Sequence, residues 1–169
     1  MIPKRIHYCW FGKGEKPKLA KKCIASWKKY CPDYEIIEWN ENNFDINLNG
    51  YTKWCYENKK YAFLSDYVRL LVVYENGGLY FDTDVELIRN PDFLLKNQAF
   101  FGFETDGTEA SNPKNADINS GLAYGSVASG LALKNMLAEY ESLLDGKHGV
   151  VMCPKLNTQA LEKIGLKRD

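Results

Sequence analysis

Apolar and polar positions change their period several times along the chain, and each change predicts an element. Arg5-Ile6-His7-Tyr8-Cys9-Trp10-Phe11 is rich in β-formers and runs into Gly12-Lys13-Gly14, which predicts a first strand and a turn. From Pro17 to Tyr30, Leu19, Cys23, Trp27 and Tyr30 recur at helical spacing with lysines between them, so a surface helix is expected that stops before Pro32. Tyr34 to Trp39 reads as a second strand, and Asn40-Glu41-Asn42-Asn43 as loop. Residues 51–60 fit a short helix, and Tyr61 to Glu75 a longer one with Leu64, Tyr67, Val68, Leu71 and Val72 as its apolar stripe. Asn76-Gly77-Gly78 tolerates positive φ and ends it.

A short apolar strand, Leu79-Tyr80-Phe81, then leads into Asp82-Thr83-Asp84. Gln98 to Glu104 reads as a further strand, Thr105 to Asp117 as a long polar loop, and Ile118-Asn119-Ser120-Gly121 as another β-like piece. Leu131 to Leu144 and Gln159 to Ile164 read as helices, the second one short. Strand, helix, strand at the start is a βαβ signal, so the expected fold is α/β with helices flanking a mainly parallel sheet. No repeat or long linker divides the chain, and one domain over 1–169 is expected. No closing strand follows the last helix, so the chain is expected to stop short of the complete fold.

Composition narrows the functions. Of 169 residues 45% are apolar and 26% charged, which excludes a disordered or fibrous chain. Lys plus Arg and Asp plus Glu are 22 each, so no global charge draws the chain to nucleic acid, and an anionic ligand must be met locally. The start carries Lys4-Arg5 without an apolar run behind it, and no stretch reaches the ~20 apolar residues of a membrane span. A cytoplasmic protein is expected, with the lysines from Lys13 to Lys29 read as a solvated face and contact with an acceptor or with a membrane surface, at its inner face, as the minority reading. Five cysteines without a CxxC pair argue against a disulfide framework or zinc knuckle. Two histidines, neither near a Ser or Cys nucleophile turn, argue against a triad hydrolase.

The chemistry concentrates in two places. Asp82 and Asp84 follow a buried strand, where two like charges repel unless a cation compensates them. In an extended segment both point to one face, and two hard oxygen ligands suit Mg²⁺ or Mn²⁺ bound to phosphate. A calcium loop is excluded because its twelfth position, which needs Glu, is Phe93. Asp66 and Arg69 lie three apart on one helix face. On a surface they are an ordinary ion pair; folded back beside the two acids, Arg69 offers planar donors to phosphate or to Asp66, and Asp66 accepts from sugar hydroxyls. Trp10 fits a base-stacking platform and a core tryptophan equally well, and Asn119 with Gly121 fits a simple turn.

The ordered set Ile2-Pro3-Lys4-x-Ile6-His7-x-x-Trp10-x-Gly12, Ser65-Asp66-x-x-Arg69 and Gly77-Gly78-x-Tyr80-x-Asp82-x-Asp84 resembles the DXD-containing sugar-transferase family. That family includes bacterial capsular-polysaccharide and lipopolysaccharide glycosyltransferases, yeast mannosyltransferases and, distantly, clostridial glucosylating toxins. The resemblance implies a GT-A-like fold, a UDP- or GDP-sugar donor, a Mn²⁺ or Mg²⁺ ion, a glycan or other hydroxyl acceptor, and transfer with retention in bacterial polysaccharide biosynthesis. It implies that Trp10 stacks on the base, that Asp82 faces the ribose and the metal, and that Asp84 ligates the metal. Ser65, Asp66 and Arg69 would hold sugar and phosphates, with Tyr80 nearby and Asn119 at the sugar. Relatives continue past the point where this chain ends, with a tail that closes the site. The alternatives are a nucleotide-sugar-binding module without turnover and a haloacid-dehalogenase-type phosphotransferase, whose motif expects Thr or Val where this chain has Glu86.

Overall fold

In the computed structural model, which describes residues 1–104 and 117–165, the first strand β1 (Arg5–Cys9) lies inside the sheet, and Ile6 to Cys9 are buried because elements cover both its faces. The parallel strand β2 (Glu35–Trp39) flanks it on one side, with His7 opposite Ile37. On the other side the parallel strand β3 (Gly78–Phe81) places Tyr80 opposite His7. Two further strands, β4 (Ala99–Phe103) and β5 (Ile118–Ser126), complete the order β2-β1-β3-β5-β4. β5 runs antiparallel to both its neighbours, so β4 points the same way as the first three strands and the sheet is mixed but mainly parallel in direction.

Helix α1 (Lys18–Tyr30) packs on one face through Ala20, Cys23 and Trp27. Leu19, assigned to its apolar stripe from spacing, is 55% exposed, and Ala20 takes its place in the core. α2 (Gly50–Glu57), α3 (Tyr61–Asn76), α4 (Leu131–Ala138) and α5 (Cys153–Glu162) build the second core, on the opposite face. Strand alternation sorts the two cores: Ile6, Tyr8, Leu79 and Phe81 join α1, while Cys9, Tyr80 and Tyr124 join α3.

Local chemistry sets the ends. Asn49 caps α2 by accepting from the Thr52 amide at 2.9 Å, and the Thr52 hydroxyl accepts from the Asn49 amide in return. α3 stops at Gly77 (φ 64°), and Gly78 (φ 125°) starts β3 against Arg5, where a Cβ would lie 2.9 Å from the Arg5 carbonyl oxygen. This turn sends β3 back along α3, bringing the amino-terminal half of the helix over the carboxyl end of the strand.

Three expectations change. The helix read over 131–144 breaks after Ala138 into a 3₁₀ turn at Glu141–Leu143. The last helix starts at Cys153, not near Gln159, with Pro154 in its first turn, where the missing amide hydrogen costs nothing. The β-like piece at 118–121 is the start of a nine-residue strand. Most of the polar loop expected from Thr105 lies outside the described residues.

Candidate functional site

β1 and β3 end at the same edge of the sheet, with Trp10 just past one and Asp82 just past the other. β5 enters beside them, and the Asp82 amide donates to the Leu122 carbonyl at 3.2 Å. α3 supplies Ser65, Asp66 and Arg69 from above. The carboxyl edge of an open α/β sheet is the usual place for a ligand, because strand ends and following loops diverge there.

Two clefts meet at this edge, and Asp82 and Asp84 border both. The first, about 560 Å³, runs past Trp10, Gly12, Tyr61, Ser65 and Tyr80. The second, about 340 Å³, runs past Asp66, Asn119, Gly121, Glu104 and Cys153. The Asp82-Thr83-Asp84 segment is not extended. The Val85 amide donates to the Asp82 carbonyl at 3.0 Å, so the segment is a turn, and the two acids share a ridge between clefts rather than one strand face.

Arg69 organises the acids. Its side chain is 5% exposed, too buried for the surface ion pair considered from the sequence. Nη2 meets Asp66 at 2.8 Å and Nη1 meets Asp82 at 3.5 Å. Nε donates to the Ser65 carbonyl at 3.0 Å and Nη1 to the Ser120 carbonyl at 3.1 Å. The guanidinium also sits over the Tyr80 ring, 4.9 Å from its centroid. With its donors so engaged, Arg69 fixes the two carboxylates in place.

Burial pushes Asp82 up to about 6, against the pull of Arg69 and the Tyr80 hydroxyl, which donates to Asp82 at 3.0 Å. Burial likewise raises Asp66, opposed by Arg69 and by Cys153. Asp84 is exposed and forms no hydrogen bond or ion pair with any described residue. The ridge thus joins one carboxylate held in place to one left open.

A raised carboxylate stabilises the fold below its unfolded pKa, and that stabilisation is lost as pH rises through the folded value. For Asp82 the window runs from about 4 to about 6. Asp82→Asn is therefore expected to stabilise the metal-free protein at pH 8 by on the order of 1–2 kcal/mol, the shift being discounted because about a third of the side chain meets solvent. The gain should vanish near pH 4. Thermal unfolding in EDTA at both pH values measures it, and a variant less stable than the parent at pH 8 contradicts it.

The remaining predicted residues fall into place unevenly. Trp10 is half-buried beside the first cleft, its indole N–H donating to the Gly14 carbonyl at 2.7 Å. Ser65 lines the same cleft. Tyr80 is buried and reaches the cleft beneath Arg69. Asn119 lines the second cleft, although its Oδ1 accepts from the Leu122 amide at 2.8 Å and so also makes the simple turn. The structure brings Trp10, Arg69 and Asp84 to one cleft and places Asp66 in the adjoining one.

Several participants escape the sequence reading. Tyr61 presses on Gly12 (φ 93°), where a Cβ would come within 2.5 Å of the ring. A buried chain of polar groups supports Asp66 from behind: Asn157 Nδ2 donates to Ser120 Oγ at 2.6 Å, and Ser120 Oγ lies 3.9 Å from the Cys153 sulfur. Gly121 lets Arg69 approach, since a Cβ there would lie 3.1 Å from Nη1. The signal for the start of α5 was Pro154, which suits a helix's first turn; Asn157 and Thr158, polar yet buried, give no such signal.

No group of three His, Cys, Asp or Glu side chains suited to a metal occurs among the described residues. Two carboxylates with an open flank fit an ion that completes its shell with phosphate and water oxygens, the habit of Mg²⁺ and Mn²⁺. No helix of the described residues is long and apolar enough to cross a membrane.

Comparison with known proteins bears on the same residues. The family model described as a glycosyltransferase sugar-binding region containing the DXD motif matches residues 17–101, which include Ser65, Asp66, Arg69, Asp82 and Asp84. Inositol phosphoceramide mannosyltransferase 3 of Schizosaccharomyces pombe (strain 972 / ATCC 24843) is 28% identical over 106 residues, 59% of this chain and 29% of that protein. This chain thus spans under a third of that relative's length. Among solved structures, the PaToxG glycosyltransferase superposes with a TM-score of 0.71 at 18% identity, covering 97% of this chain and 70% of that one. A transferase carrying two Cys-to-Ser substitutions superposes with a TM-score of 0.58 at 10% identity, covering 97% and 87%. At such identities the structural likenesses establish the shared fold.

Proposed function

The chain belongs to the family of glycosyltransferases whose sugar-binding region contains the DXD motif, and we propose that it moves a sugar from a nucleotide-diphospho-sugar to a hydroxyl of a glycan or other acceptor. The match spans Asp82 and Asp84, so the haloacid-dehalogenase reading of that pair is withdrawn. The observation that carries the proposal is the ridge: two carboxylates stand between two clefts of different character.

The first cleft, with Trp10 and Tyr61, takes the nucleoside of a UDP- or GDP-sugar, since a base stacked on an aromatic ring gains ~1–3 kcal/mol. The diphosphate lies over the ridge, where Asp84 and Asp82 hold Mn²⁺ or Mg²⁺. When bound, the ion offsets the negative charge that builds on the departing diphosphate. The sugar enters the second cleft, where Asp66, fixed by Arg69, accepts from its hydroxyls and Asn119 offers its amide N–H.

Neither Cys153 nor Asp66, the two buried candidates of the second cleft, suits a covalent intermediate. Burial pushes the Cys153 thiol up to about 12, so at neutral pH it is not a thiolate. Asp66 is tied to Arg69. This supports transfer on one face of the sugar: the bond from C1 to the phosphate oxygen breaks, the acceptor oxygen bonds C1, and the acceptor proton passes to the leaving diphosphate. Configuration is then retained. A role in bacterial polysaccharide assembly follows from the family resemblance alone.

Turnover tests the proposal. Incubation with UDP-glucose, UDP-N-acetylglucosamine, GDP-mannose or GDP-fucose and Mn²⁺ is expected to release UDP or GDP from donors of one base, with release stopped by EDTA. Release that persists in EDTA contradicts the assignment of the ridge. A folded protein that binds a donor and releases nothing, with simple alcohols and sugars supplied as acceptors, identifies a binding module instead.

A further inference from the structure

We propose that the face formed by α1 and the strap at 85–94 docks the protein on an anionic lipid bilayer. α1 carries Lys18, Lys21, Lys22, Lys28 and Lys29 and no acidic residue, in a chain whose formal net charge is zero. Glu15 pairs with Lys21 and Glu86 with Lys22. Lys18, Lys28 and Lys29 have no acidic partner among the described residues, so the helix keeps an uncompensated positive surface.

The strap lies along this helix and is fastened to it by backbone groups. Trp27 donates to the Val85 carbonyl at 2.8 Å, the Leu87 amide to Ser26 Oγ at 2.9 Å, and Asn90 to the Tyr30 carbonyl at 3.0 Å. Held this way, the strap presents large apolar side chains to solvent: Ile88 is 81% exposed and Phe93 53%. The Arg89 guanidinium covers the Phe93 ring at 4.9 Å, adding a cation at the apolar tip. Leu19, also exposed, adds an apolar group to the helix itself.

Cations beside protruding aliphatic and aromatic tips are the chemistry of an interfacial anchor. Lysines and arginine meet lipid phosphates while the tips enter the boundary of the acyl chains. The hollow beneath Ile88 and Phe93 is about 190 Å³, below the roughly 300–1,000 Å³ of ligand pockets, so the face is built to insert rather than to enclose. An acidic polypeptide would meet the lysines but leave the tips in water, and the bilayer is therefore the occupant that uses both features. Docking does not depend on the transfer chemistry, although the strap begins one residue after Asp84 and so places the ridge beside the bound surface.

Sedimentation with vesicles tests this, without any sugar donor. The protein is expected to bind phosphatidylcholine vesicles containing phosphatidylglycerol and not phosphatidylcholine alone, with binding falling steeply at high salt. Lys28→Glu with Lys29→Glu should weaken it by at least about tenfold. Ile88→Ser with Phe93→Ser should weaken it by about tenfold at unchanged charge. Thermal unfolding of both variants should match the parent, since all four side chains are exposed. No binding to the mixed vesicles, or equal binding to both compositions, overturns the proposal. Undiminished binding of the Ile88 and Phe93 variant also overturns it and assigns the lysines to an acidic polymer.

Discussion

Arg69→Ala is expected to cost about 3–5 kcal/mol of stability at neutral pH, the usual result of removing one partner of a buried ion pair. For a chain of this size that is a fall in Tm of roughly 6–20 °C. The loss comes from what stays behind: Asp66, 13% exposed at its side chain, keeps its charge without its cation, and the Ser65 and Ser120 carbonyls lose a donor. Arg69 is also what holds both carboxylates down against burial, so without it their folded pKa values rise further above the unfolded ones. Stability of the variant should then recover as pH falls through those raised values. Thermal unfolding at pH 5 and pH 8 measures it: a deficit much smaller at pH 5 is expected, and a deficit independent of pH would make Arg69 a packing residue only.

Asp84→Ala should behave in the opposite way. The side chain is exposed and engages no described partner, so its removal is expected to leave Tm unchanged within about 0.5 kcal/mol of stability. Metal-dependent sugar release should fall by at least about 10²-fold, as expected when the group that anchors charge at the leaving diphosphate is lost. Loss of activity together with the fold would remove the distinction between this acid and Asp66. Unchanged turnover would place the ion elsewhere.

The two acids show what a sequence yields and what it hides. The apolar run Leu79-Tyr80-Phe81 after Gly77-Gly78 made the strand, its edge and the acid pair legible, because short-range chemistry decides them. The family match and the mixed α/β sheet bear out the family and the fold class read from it. Whether Asp82 and Asp84 share a face was not legible, since it depends on the turn closed by the Val85 amide. The spacing puts Arg69 beside Asp66 on one helix face, which the Gly77-Gly78 turn can fold back beside the two acids; its neighbours Leu70, Val72 and Val73 are all buried, and a charge inside such a stripe signals an interior partner. Its second carboxylate and the Ser120 carbonyl arrive from β3 and β5, distant in sequence, where no helical period can show them. α5 was read too short because its buried face contains Asn157 and Thr158, which periodicity counts as polar. Those groups are buried because they bond Ser120 and the Ile118 amide.

Calorimetric titration of the chain with UDP- and GDP-sugars, in Mn²⁺ and then in EDTA, tests the central claim that the ridge and its two clefts form a metal-dependent donor site. Saturable binding of donors carrying one of the two bases is expected in Mn²⁺ and is lost in EDTA. Binding of equal strength in EDTA, or none by the folded chain with either base, would contradict it.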